Sequence, residues 1–365
     1  MGIWIAVLAF ALLLTAGALF YLLTRFRRLS FVARLGGKNR FLPWLAAVLL
    51  LAPVAAFALI GLPALVVVLL HLAVFFALSD LIALLVRRTA KHELSRDLRA
   101  LLAVCLCAIY LGVGWVQAHQ VALTGYTVAD GKLQEGERLR VVLIADAHLG
   151  ITLDGAAFAR EMERVGETEP DLVVLVGDFV DDESKKEDLL AACRALGGLH
   201  PSRGVYFVYG NHDNGYYSSR DFSAADLRAA LTENGVRILE DEAIFLDGGF
   251  VLIGRRDRSS RDRASVETLT AGLDPGLFSI LLDHQPNDYE NEAGAVDLVL
   301  SGHTHGGHIF PAGWIGELIG ANDFTYGRED RQGTTFIVTS GISGWAIPFK
   351  TGTRSEFAVI DVVPA

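Results

Sequence analysis

Cysteine is scarce in this chain of 365 residues, which contains only three. Cys105 and Cys107 fall inside an apolar run, and Cys193 stands alone in the more polar remainder. This pattern provides neither a disulfide framework nor the paired cysteines of a zinc site. Candidate metal ligands in the polar part are therefore oxygen and nitrogen donors.

Basic residues are also few in the larger part of the chain. Residues 120–365 carry 21 Lys and Arg against 39 Asp and Glu, a net charge of −18, whereas residues 1–119 have a net charge of +8. Nucleic acid binding needs a basic face, so we expect no nucleic-acid partner. A phosphorylated small substrate remains compatible with this charge if bound cations supply local positive charge.

Charge is nearly absent from four long apolar segments, residues 3–23, 41–60, 64–86 and 100–118. Each is close to the ~20 residues that a bilayer-spanning helix needs. A buried core helix is the alternative, but runs of this length with almost no charge favour membrane spans. We predict a four-helix transmembrane region over residues 1–119 of a multi-pass cell-membrane protein.

The loops between these segments differ in charge. The loop after the first span holds six basic residues and the loop after the third holds five, whereas the link between the second and third holds none. Because basic loops stay on the cytoplasmic side, both termini should lie outside. The domain that follows the fourth span is then extracytoplasmic.

Two polar residues, His71 and Asp80, interrupt the third span. Intramembrane polar residues are often functional, so a transport pathway is one interpretation. Their spacing of nine residues places them on opposite helix faces, and Asp80 lies near the basic end of the span. This favours an interfacial Asp80 and a helix-packing His71.

From residue 139 onward, short β-branched runs alternate with helical patterns, and closely spaced strands follow. Residues 120–138 are expected to form a linker or an edge hairpin ahead of a catalytic domain at 139–365. Strands are predicted at 140–145, 172–176, 205–209, 236–239, 243–246, 250–253, 278–282, 296–300, 335–339 and 356–362, and helices at 155–165, 185–196 and 222–233. This order predicts two mixed sheets packed together with helices outside.

Five short polar motifs stand directly after apolar runs. They are Asp146-Ala147-His148, Gly177-Asp178, Gly210-Asn211-His212-Asp213, Asp283-His284-Gln285-Pro286 and Gly302-His303-Thr304-His305. Each sits where a buried strand would end, the position at which open α/β sheets place their sites. A single motif of this kind carries little information, because Asn and Asp are common in loops. Five in succession indicate a functional site.

Seven side chains of these motifs are candidate metal ligands. They are Asp146, His148, Asp178, Asn211, His284, His303 and His305. Carboxylate, imidazole and amide donors suit Mn, Fe or Zn rather than Cu(I) or iron–sulfur clusters. Seven donors exceed one tetrahedral site but suit two ions if one carboxylate bridges them. Two ions can stabilise both the attacking and the leaving oxygen of a phosphoryl displacement.

This series of motifs, within residues 140–310, resembles the calcineurin-like metallophosphoesterase superfamily. The run Asp297-Leu298-Val299-Leu300-Ser301 ahead of the last motif is similar to the membrane-anchored bacterial branch of that superfamily. The resemblance implies a four-layered α/β/β/α sandwich and a metal-dependent phosphoesterase activity.

By position, the resemblance implies one triad of ligands for each of two divalent ions, and a bridging carboxylate. The first triad is Asp146, His148 and His305, the second is Asn211, His284 and His303, and the bridge is Asp178. His212, oriented by Asp213, would stabilise the phosphoryl group or protonate the leaving oxygen. A metal-bridging hydroxide would be the nucleophile.

Three further features leave alternatives open. His308 stands where the resemblance leads us to expect Gln, and it either orients a ligand or forms a polar rim. Five arginines between residues 255 and 263 form either a solvated loop or a grip for a second phosphate or an anionic headgroup. The segment 345–350 could offer apolar contacts beside the site, which would suit a lipid-linked substrate.

These features favour a membrane-anchored phosphohydrolase that cleaves a phosphoester or pyrophosphate bond. Membrane lipids are expected partners, and the substrate is either a lipid-linked phosphate or pyrophosphate at the outer leaflet or a general phosphodiester. UDP-2,3-diacylglucosamine, which some members of the superfamily cleave, is made in the cytoplasm, so an extracytoplasmic domain argues against it. The alternative is a non-catalytic membrane protein with a structural or sensory metal site, which would not need His212.

Overall fold

The computed structural model describes the chain apart from residues 1, 38 and 216–218, and apart from the side chains of residues 1–8. The chain divides into two compact units, Met1–Val113 and Gly114–Ala365. The first is helical, and the second contains both sheets together with the motifs.

The first unit is built from apolar helices. They are α1 (Gly2–Phe26), α2 (Ser30–Gly36), α3 (Leu42–Leu51), α4 (Leu62–Thr89) and α5 (Arg96–His119), the last of which continues into the second unit. Within the part of the chain that the structure describes, four helical stretches have the length and hydropathy to cross a membrane: Ala9–Phe26, Leu42–Leu59, Leu62–Thr89 and Arg96–His119. They coincide with the four apolar segments of the sequence.

The second of these stretches changes its helix type part of the way along. After α3, residues Ala52–Leu59 form a 3-10 helix whose second residue is Pro53. Proline lacks a backbone N–H and its ring clashes with the carbonyl four residues earlier, which disfavours a continuous α-helix at this point. The sequence pattern predicts the apolar stretch but not this change.

Asp80 joins three helices of the first unit. Its carboxylate accepts a hydrogen bond from the Tyr21 hydroxyl at 2.9 Å and pairs with Arg25 at 2.7 Å and Arg99 at 3.1 Å. These arginines lie at the end of α1 and at the start of α5, in agreement with an interfacial position for Asp80. His71 bonds the carbonyl of its own helical turn, and its ring stacks on Tyr110 at 5.5 Å, as expected for helix packing.

The second unit consists of twelve strands and six α-helices among its described residues, together with the end of α5. The strands are β1 (Ala122–Asp130), β2 (Leu139–Ile144), β3 (Leu172–Val176), β4 (Val205–Val208), β5 (Val236–Ile238), β6 (Glu242–Leu246), β7 (Phe250–Gly254), β8 (Phe278–Leu282), β9 (Leu298–Ser301), β10 (Gly327–Arg331), β11 (Thr334–Val338) and β12 (Glu356–Pro364). The helices are α6 (Gly155–Gly166), α7 (Lys186–Gly197), α8 (Ala224–Glu233), α9 (Val266–Thr270), α10 (Tyr289–Glu292) and α11 (Ile315–Leu318). Short 3-10 turns at His305–Gly307 and Ala312–Trp314 complete the unit.

These strands form two six-stranded sheets. The strand order is β1-β12-β2-β3-β4-β5 in the first sheet and β10-β11-β9-β8-β7-β6 in the second. Alternate side chains of β2 and β3 point to opposite faces of the first sheet. Val142 and Val173 pack against α6, α7 and α8, whereas Val141 and Val174 pack against the second sheet.

The second sheet divides its side chains in the same way. Ile280 and Leu298 face the first sheet, whereas Leu281 and Val299 pack with α9 and α10 on the outside. The unit is therefore a four-layered α/β/β/α sandwich, as the resemblance implies. Runs such as 172–176 are apolar on both faces because both faces are covered.

The sequence interpretation is wrong for two edge strands. Residues 120–138 are neither a linker nor a hairpin, because β1 pairs in parallel with β12 rather than with β2. Gly125 and the Asp130-Gly131 pair give the segment a turn-like composition that conceals the strand. Strand β10, Gly327–Arg331, was not expected because four of its five residues are charged, a composition that suits a solvent-facing sheet edge.

The motifs lie close together because they follow strands that end at the same edge. Strands β2, β3 and β4 are adjacent and parallel, and so are β8 and β9. Their carboxyl ends therefore open on the same edge of the sandwich. A direct link joins the two sheets there, because the backbone N–H of His303 donates to both carboxylate oxygens of Asp146 at 2.9 and 3.0 Å.

Candidate metal centre

Among the described residues, three groups of potential metal ligands lie at this edge. The first consists of Asp146, His148 and His305, and the second of Asp178, His284 and His303. The third joins His148 to Asp181 and His212. Within each group the ligand atoms lie within 4.8 Å of one another. The six residues of the first two groups come from four of the five motifs and from both sheets, and all six belong to the predicted ligand set.

Asp178 stands between the first two groups. Its Oδ2 lies 3.0 Å from Nε2 of His284 in the second group and 3.7 Å from Nε2 of His148 in the first. Its Oδ1 accepts a hydrogen bond from the backbone N–H of His212 at 2.8 Å, which holds the carboxylate in place. The Asp178 carboxylate therefore lies beside a histidine of each of these two groups.

The imidazoles are oriented so that Nε2 faces inward. Nδ1 of His284 bonds the carbonyl of Val176 at 2.8 Å, and Nδ1 of His305 faces the carbonyl of Ser343 at 3.3 Å. Bonds of this kind fix the tautomer and leave Nε2 with its lone pair. Nε2 of His148 and Nε2 of His305 consequently face each other at 3.2 Å. Two nitrogens at this distance need a proton or a metal cation between them, so the donors fit a metal ion.

Burial keeps two of the histidines neutral. It lowers the pKa of His303 to about 4, and together with the nearby His148 it lowers the pKa of His305 well below its usual value. Against the effect of burial, the Asp178 carboxylate raises the pKa of His284 well above its usual value. Metal binding requires the neutral imidazole, so a metal ion must displace a proton from His284.

Five of the ligands have left-handed backbone conformations. Their φ angles are 54° at Asp146, 36° at His148, 51° at Asp178, 70° at His303 and 49° at His305. Non-glycine residues rarely adopt this region, at a cost of roughly 1–3 kcal/mol each, and they cluster at functional sites. Each of these residues turns the chain sharply just after a strand, which brings its side chain into the site.

Two glycines allow the loops to approach closely. A Cβ at Gly177 would lie 2.5 Å from Nδ1 of His284, and a Cβ at Gly210 would lie 2.2 Å from Oδ1 of Asp178. The glycine of each motif is therefore required by contact with a ligand. At Gly177 the φ angle of 75° adds a second requirement for glycine.

Asn211 and His212 follow β4 beside these groups. The side-chain oxygen of Asn211 lies 3.5 Å from the amide nitrogen of Gln285, next to His284 in the chain. The His212 ring lies 5.1 Å from that of His148, between centroids, and 5.6 Å from Trp345. Both residues therefore lie beside the ligand groups.

Asp213 has a different role from the one expected. Its buried carboxylate accepts hydrogen bonds from the backbone N–H groups of Asp178, Phe179, Val180 and Gly210, at 2.7 to 3.1 Å. The carboxylate thus fixes the two loops to each other. The prediction that Asp213 orients His212 is wrong, because Nδ1 of His212 bonds Oδ1 of Asp181 at 3.0 Å.

Asp181 is a site residue that the motif analysis missed. Its Oδ1 bonds His212, and its Oδ2 lies 3.0 Å from Nδ1 of His148. The sequence signal is its position three residues after Asp178 in the same loop. Asp257 was also missed, and it accepts hydrogen bonds from the Gln285 amide at 2.8 and 3.1 Å. No motif marks it.

His308 contacts a ligand rather than forming a rim. Its ring stacks on that of His305 with 5.3 Å between centroids, and burial lowers its pKa to about 3. A neutral, buried ring in this position restricts the orientation of His305. This contact favours the interpretation in which His308 orients a ligand.

The arginines between residues 255 and 263 do not form one surface. Arg255 is buried and pairs with Asp283, Asp288 and Glu292 at 2.7 to 3.4 Å, and Arg263 also pairs with Asp283. These two arginines therefore neutralise buried carboxylates, so neither proposed role of the cluster applies to them. The remaining three are at least partly exposed.

Comparison with known proteins agrees with this geometry. The profile of the calcineurin-like phosphoesterase family matches residues 139–307. A bovine protein described as a transmembrane protein with metallophosphoesterase domain is 31% identical over 318 residues, which cover 80% of this chain and 70% of that protein. An uncharacterized metallophosphoesterase of Aquifex aeolicus is 31% identical over 264 residues, 70% of this chain and 97% of that protein.

A relative from Helicobacter pylori, also an uncharacterized metallophosphoesterase, is 32% identical over 235 residues. The match covers 62% of this chain and 60% of the relative, so the chain spans less than two-thirds of that protein. The matched family, the apolar helices and the buried carboxylate and histidine groups agree with one another. The chain is a membrane protein that belongs to the calcineurin-like metallophosphoesterase superfamily.

Proposed function

We propose that this protein is a membrane-anchored phosphohydrolase that uses two divalent metal ions to cleave a phosphoester or pyrophosphate bond. The observation that carries the proposal is the position of Asp178, whose Oδ2 faces a histidine of each ligand group. Membership of the family supports the reaction class, and the geometry supports a site for two ions.

One ion would be held by Asp146, His148 and His305 and the other by Asn211, His284 and His303, with Asp178 shared. Mn, Fe and Zn suit these donors. When bound, two such ions supply Lewis acidity that stabilises negative charge on the oxygens of a phosphoryl group. Asp181 and His308 hold His148 and His305 in the orientation that this arrangement needs.

His212 is the proton donor in this proposal. Burial opposes protonation of its ring, but the hydrogen bond to Asp181 and the charges of Asp178 and Asp213 raise its pKa above the usual value. Because Nδ1 faces Asp181, the proton available for transfer is on Nε2. From there it can stabilise the phosphoryl oxygens or pass to the leaving oxygen.

The substrate class follows from the membrane anchor. Four helices that could span the bilayer, with basic loops after the first and third, support an extracytoplasmic domain close to the outer leaflet. Trp345 is half-exposed beside His212 and offers an apolar surface next to the site. We therefore favour a lipid-linked phosphate or pyrophosphate over a general phosphodiester.

Hydrolysis of an aryl phosphodiester tests the activity. The purified full chain should turn over bis(4-nitrophenyl) phosphate with Mn, Zn or Fe, and Asn211→Ala and His212→Ala should lose about 10²-fold or more in rate. His200→Ala, an exposed histidine away from the motifs, is the matched control and should keep wild-type activity. Equal, negligible turnover of all four proteins with every metal would overturn the proposal.

Metal content separates the enzyme from the non-catalytic alternative. Elemental analysis should give two ions for each wild-type chain and a loss of both in Asp178→Asn. Two ions bound without turnover would favour a structural or sensory site.

A compartment-sensitive reporter fused after Ala365 tests on which side of the membrane the catalytic domain lies. A cytoplasmic signal would make the nucleotide-linked lipid the favoured substrate again.

A further inference from the structure

An apolar surface is exposed on the loop that follows the last ligand motif. Residues 309–319 contain a single charged residue, Glu317. Phe310 is 50% exposed, Trp314 61% and Leu318 85%, and the rings of Phe310 and Trp314 contact each other at 5.5 Å. Soluble surfaces seldom expose a continuous apolar patch of this kind without a partner.

Trp314 and Leu318 are on the same side of this loop. Trp314 directly precedes α11 and Leu318 is its last residue, and a spacing of four residues places side chains on one face of a helical turn. Ile315 is also exposed beside them. We name residues 309–319 the apolar loop.

The apolar loop is bonded to the segment at residues 350–352. The backbone N–H of Phe310 donates to the hydroxyl of Thr351 at 3.1 Å. The backbone N–H groups of Thr351 and Gly352 donate to the carbonyl of His308 at 2.9 and 3.0 Å. The loop is thus fixed at its start rather than hanging freely from the sandwich.

The same segment holds the end of α5. The N–H of Lys350 donates to the carbonyl of Gly114 at 2.9 Å, and the N–H of Ser355 donates to that of Gln117 at 2.8 Å. A Cβ at Gly114 would lie 2.7 Å from the methyl group of Thr351, so the helix and the segment are in close contact. The apolar loop and the last turns of α5 therefore share one anchoring segment.

The length of α5 bears on how far the anchoring segment lies from the centre of a bilayer. A helix of 24 residues is about 36 Å long, longer than a hydrocarbon core of about 30 Å. The end of α5 can therefore reach the interfacial region. Trp115 is half-exposed near this end and stacks on His119 at 4.0 Å, and tryptophan is a residue type enriched at membrane interfaces.

We propose that the apolar loop inserts into the interface of the bilayer, with Phe310, Trp314 and Leu318 among the lipid headgroups and upper acyl chains. The partner is the lipid surface itself, since the loop is bonded to the segment that contacts the emerging end of α5. The insertion brings His305, four residues before the loop begins, close to the membrane surface. This placement would bring the site close to lipid-linked substrates, and that consequence rests on the proposed function.

Collision accessibility of a spin label tests the insertion. The full chain, with Cys105, Cys107 and Cys193 replaced by Ser, is labelled at Leu318→Cys and reconstituted in nanodiscs of phosphatidylcholine and phosphatidylglycerol. The matched control is Phe245→Cys, an apolar side chain on β6 that is 68% exposed. Both positions are exposed enough to carry a label without disturbing the core.

The label at position 318 should collide several-fold more with oxygen, relative to a water-soluble nickel chelate, than the label at position 245. An equal ratio at both positions would overturn the proposal, because it would place the loop in water. Protection of position 318 from both reagents would also overturn it, because the loop would then be covered by protein. The measurement needs no turnover, so it can fail independently of the proposed hydrolase activity.

Discussion

Asp181 contacts His212 through one carboxylate oxygen and faces His148 through the other, each at 3.0 Å from Nδ1. A single side chain therefore orients both the proposed proton donor and a metal ligand. The carboxylate also contributes to the raised pKa of His212. Two consequences can be separated experimentally, one on metal affinity and one on pH dependence.

Asp181→Asn should weaken metal binding and lower the rate. Loss of a carboxylate that orients a ligating histidine typically costs about 10- to 100-fold in metal affinity. At saturating metal the remaining defect should belong to His212, the proposed proton donor. Activity falls as pH rises through the pKa of His212, and removal of the carboxylate lowers that pKa. The alkaline decline of kcat should therefore begin at lower pH than in wild type.

The control for this experiment is Asp247→Asn, an exposed aspartate in the turn between β6 and β7. It should leave both the metal titration and the pH profile unchanged. An Asp181→Asn profile that overlays that of wild type at saturating metal would show that Asp181 does not set the protonation of His212.

Asp213→Ala should destabilise the fold more than it alters the chemistry. Four backbone N–H groups lose their common acceptor, and a hydrogen bond to a charged group contributes about 1.5–3 kcal/mol. We expect the free energy of unfolding to fall by about 3 kcal/mol or more in denaturant titrations. His212→Ala, at the neighbouring position, should lose activity with a change in stability of about 1 kcal/mol or less. Equal stability losses in the two variants would contradict the assignment.

Gly177→Ala should expel metal from the site. Gly177 and Gly235 both have positive φ, 75° and 77°, but a Cβ at Gly235 would meet nothing within 4 Å, whereas one at Gly177 would collide with His284. Both alanine variants should lose about 1 kcal/mol of stability from backbone strain. Elemental analysis should show metal loss in Gly177→Ala alone. Full metal occupancy in that variant would show that His284 is not held as described.

Lys350 should make stability depend on pH. It is fully buried, donates to the carbonyls of Ser340 and Gly341, and has its pKa lowered by burial to about 7 from 10.5. Between these two values the unfolded chain binds more protons than the folded one, so stability rises with pH. Wild type should therefore gain stability relative to Lys350→Met between pH 7 and 10. Divalent cations near Asp146 would lower the pKa further and leave the sign unchanged.

Thermal unfolding in detergent at several pH values measures this effect. Lys185→Met removes an exposed lysine and is the matched control for loss of charge. A difference between wild type and Lys350→Met that stays constant from pH 7 to 10 would mean that Lys350 remains protonated in the fold.

Hydrophobic patterning predicted the central strands because buried strands appear in the sequence as short, nearly continuous apolar runs. Residues 172–176 and 278–282 are apolar on both faces and lie in the middle of covered sheets, so pattern and structure agree to the residue. The edge strands β1 and β10 escaped detection for the opposite reason. Half of each edge strand faces solvent, and turn-like or charged residues are tolerated there.

The ligands were predictable because they belong to short motifs at strand ends, but their supporting residues were not. Asp213 is next to His212 in the chain, whereas Asp181 lies in the loop that follows the adjacent strand β3. Which carboxylate meets the ring depends on the turn between Gly210 and Asp213, where the side chain of Asp213 folds back onto backbone N–H groups. Residue spacing does not determine such a direction.

The left-handed turns at the ligands also limit how this centre can be transferred between proteins. A different α/β scaffold could be given the same aspartates and histidines at the ends of its strands. Its loops would still leave those strands in ordinary extended conformations, and the donor atoms would point apart. Engineering such a centre elsewhere therefore means copying the loop backbones, glycines included, before any donor residue is introduced.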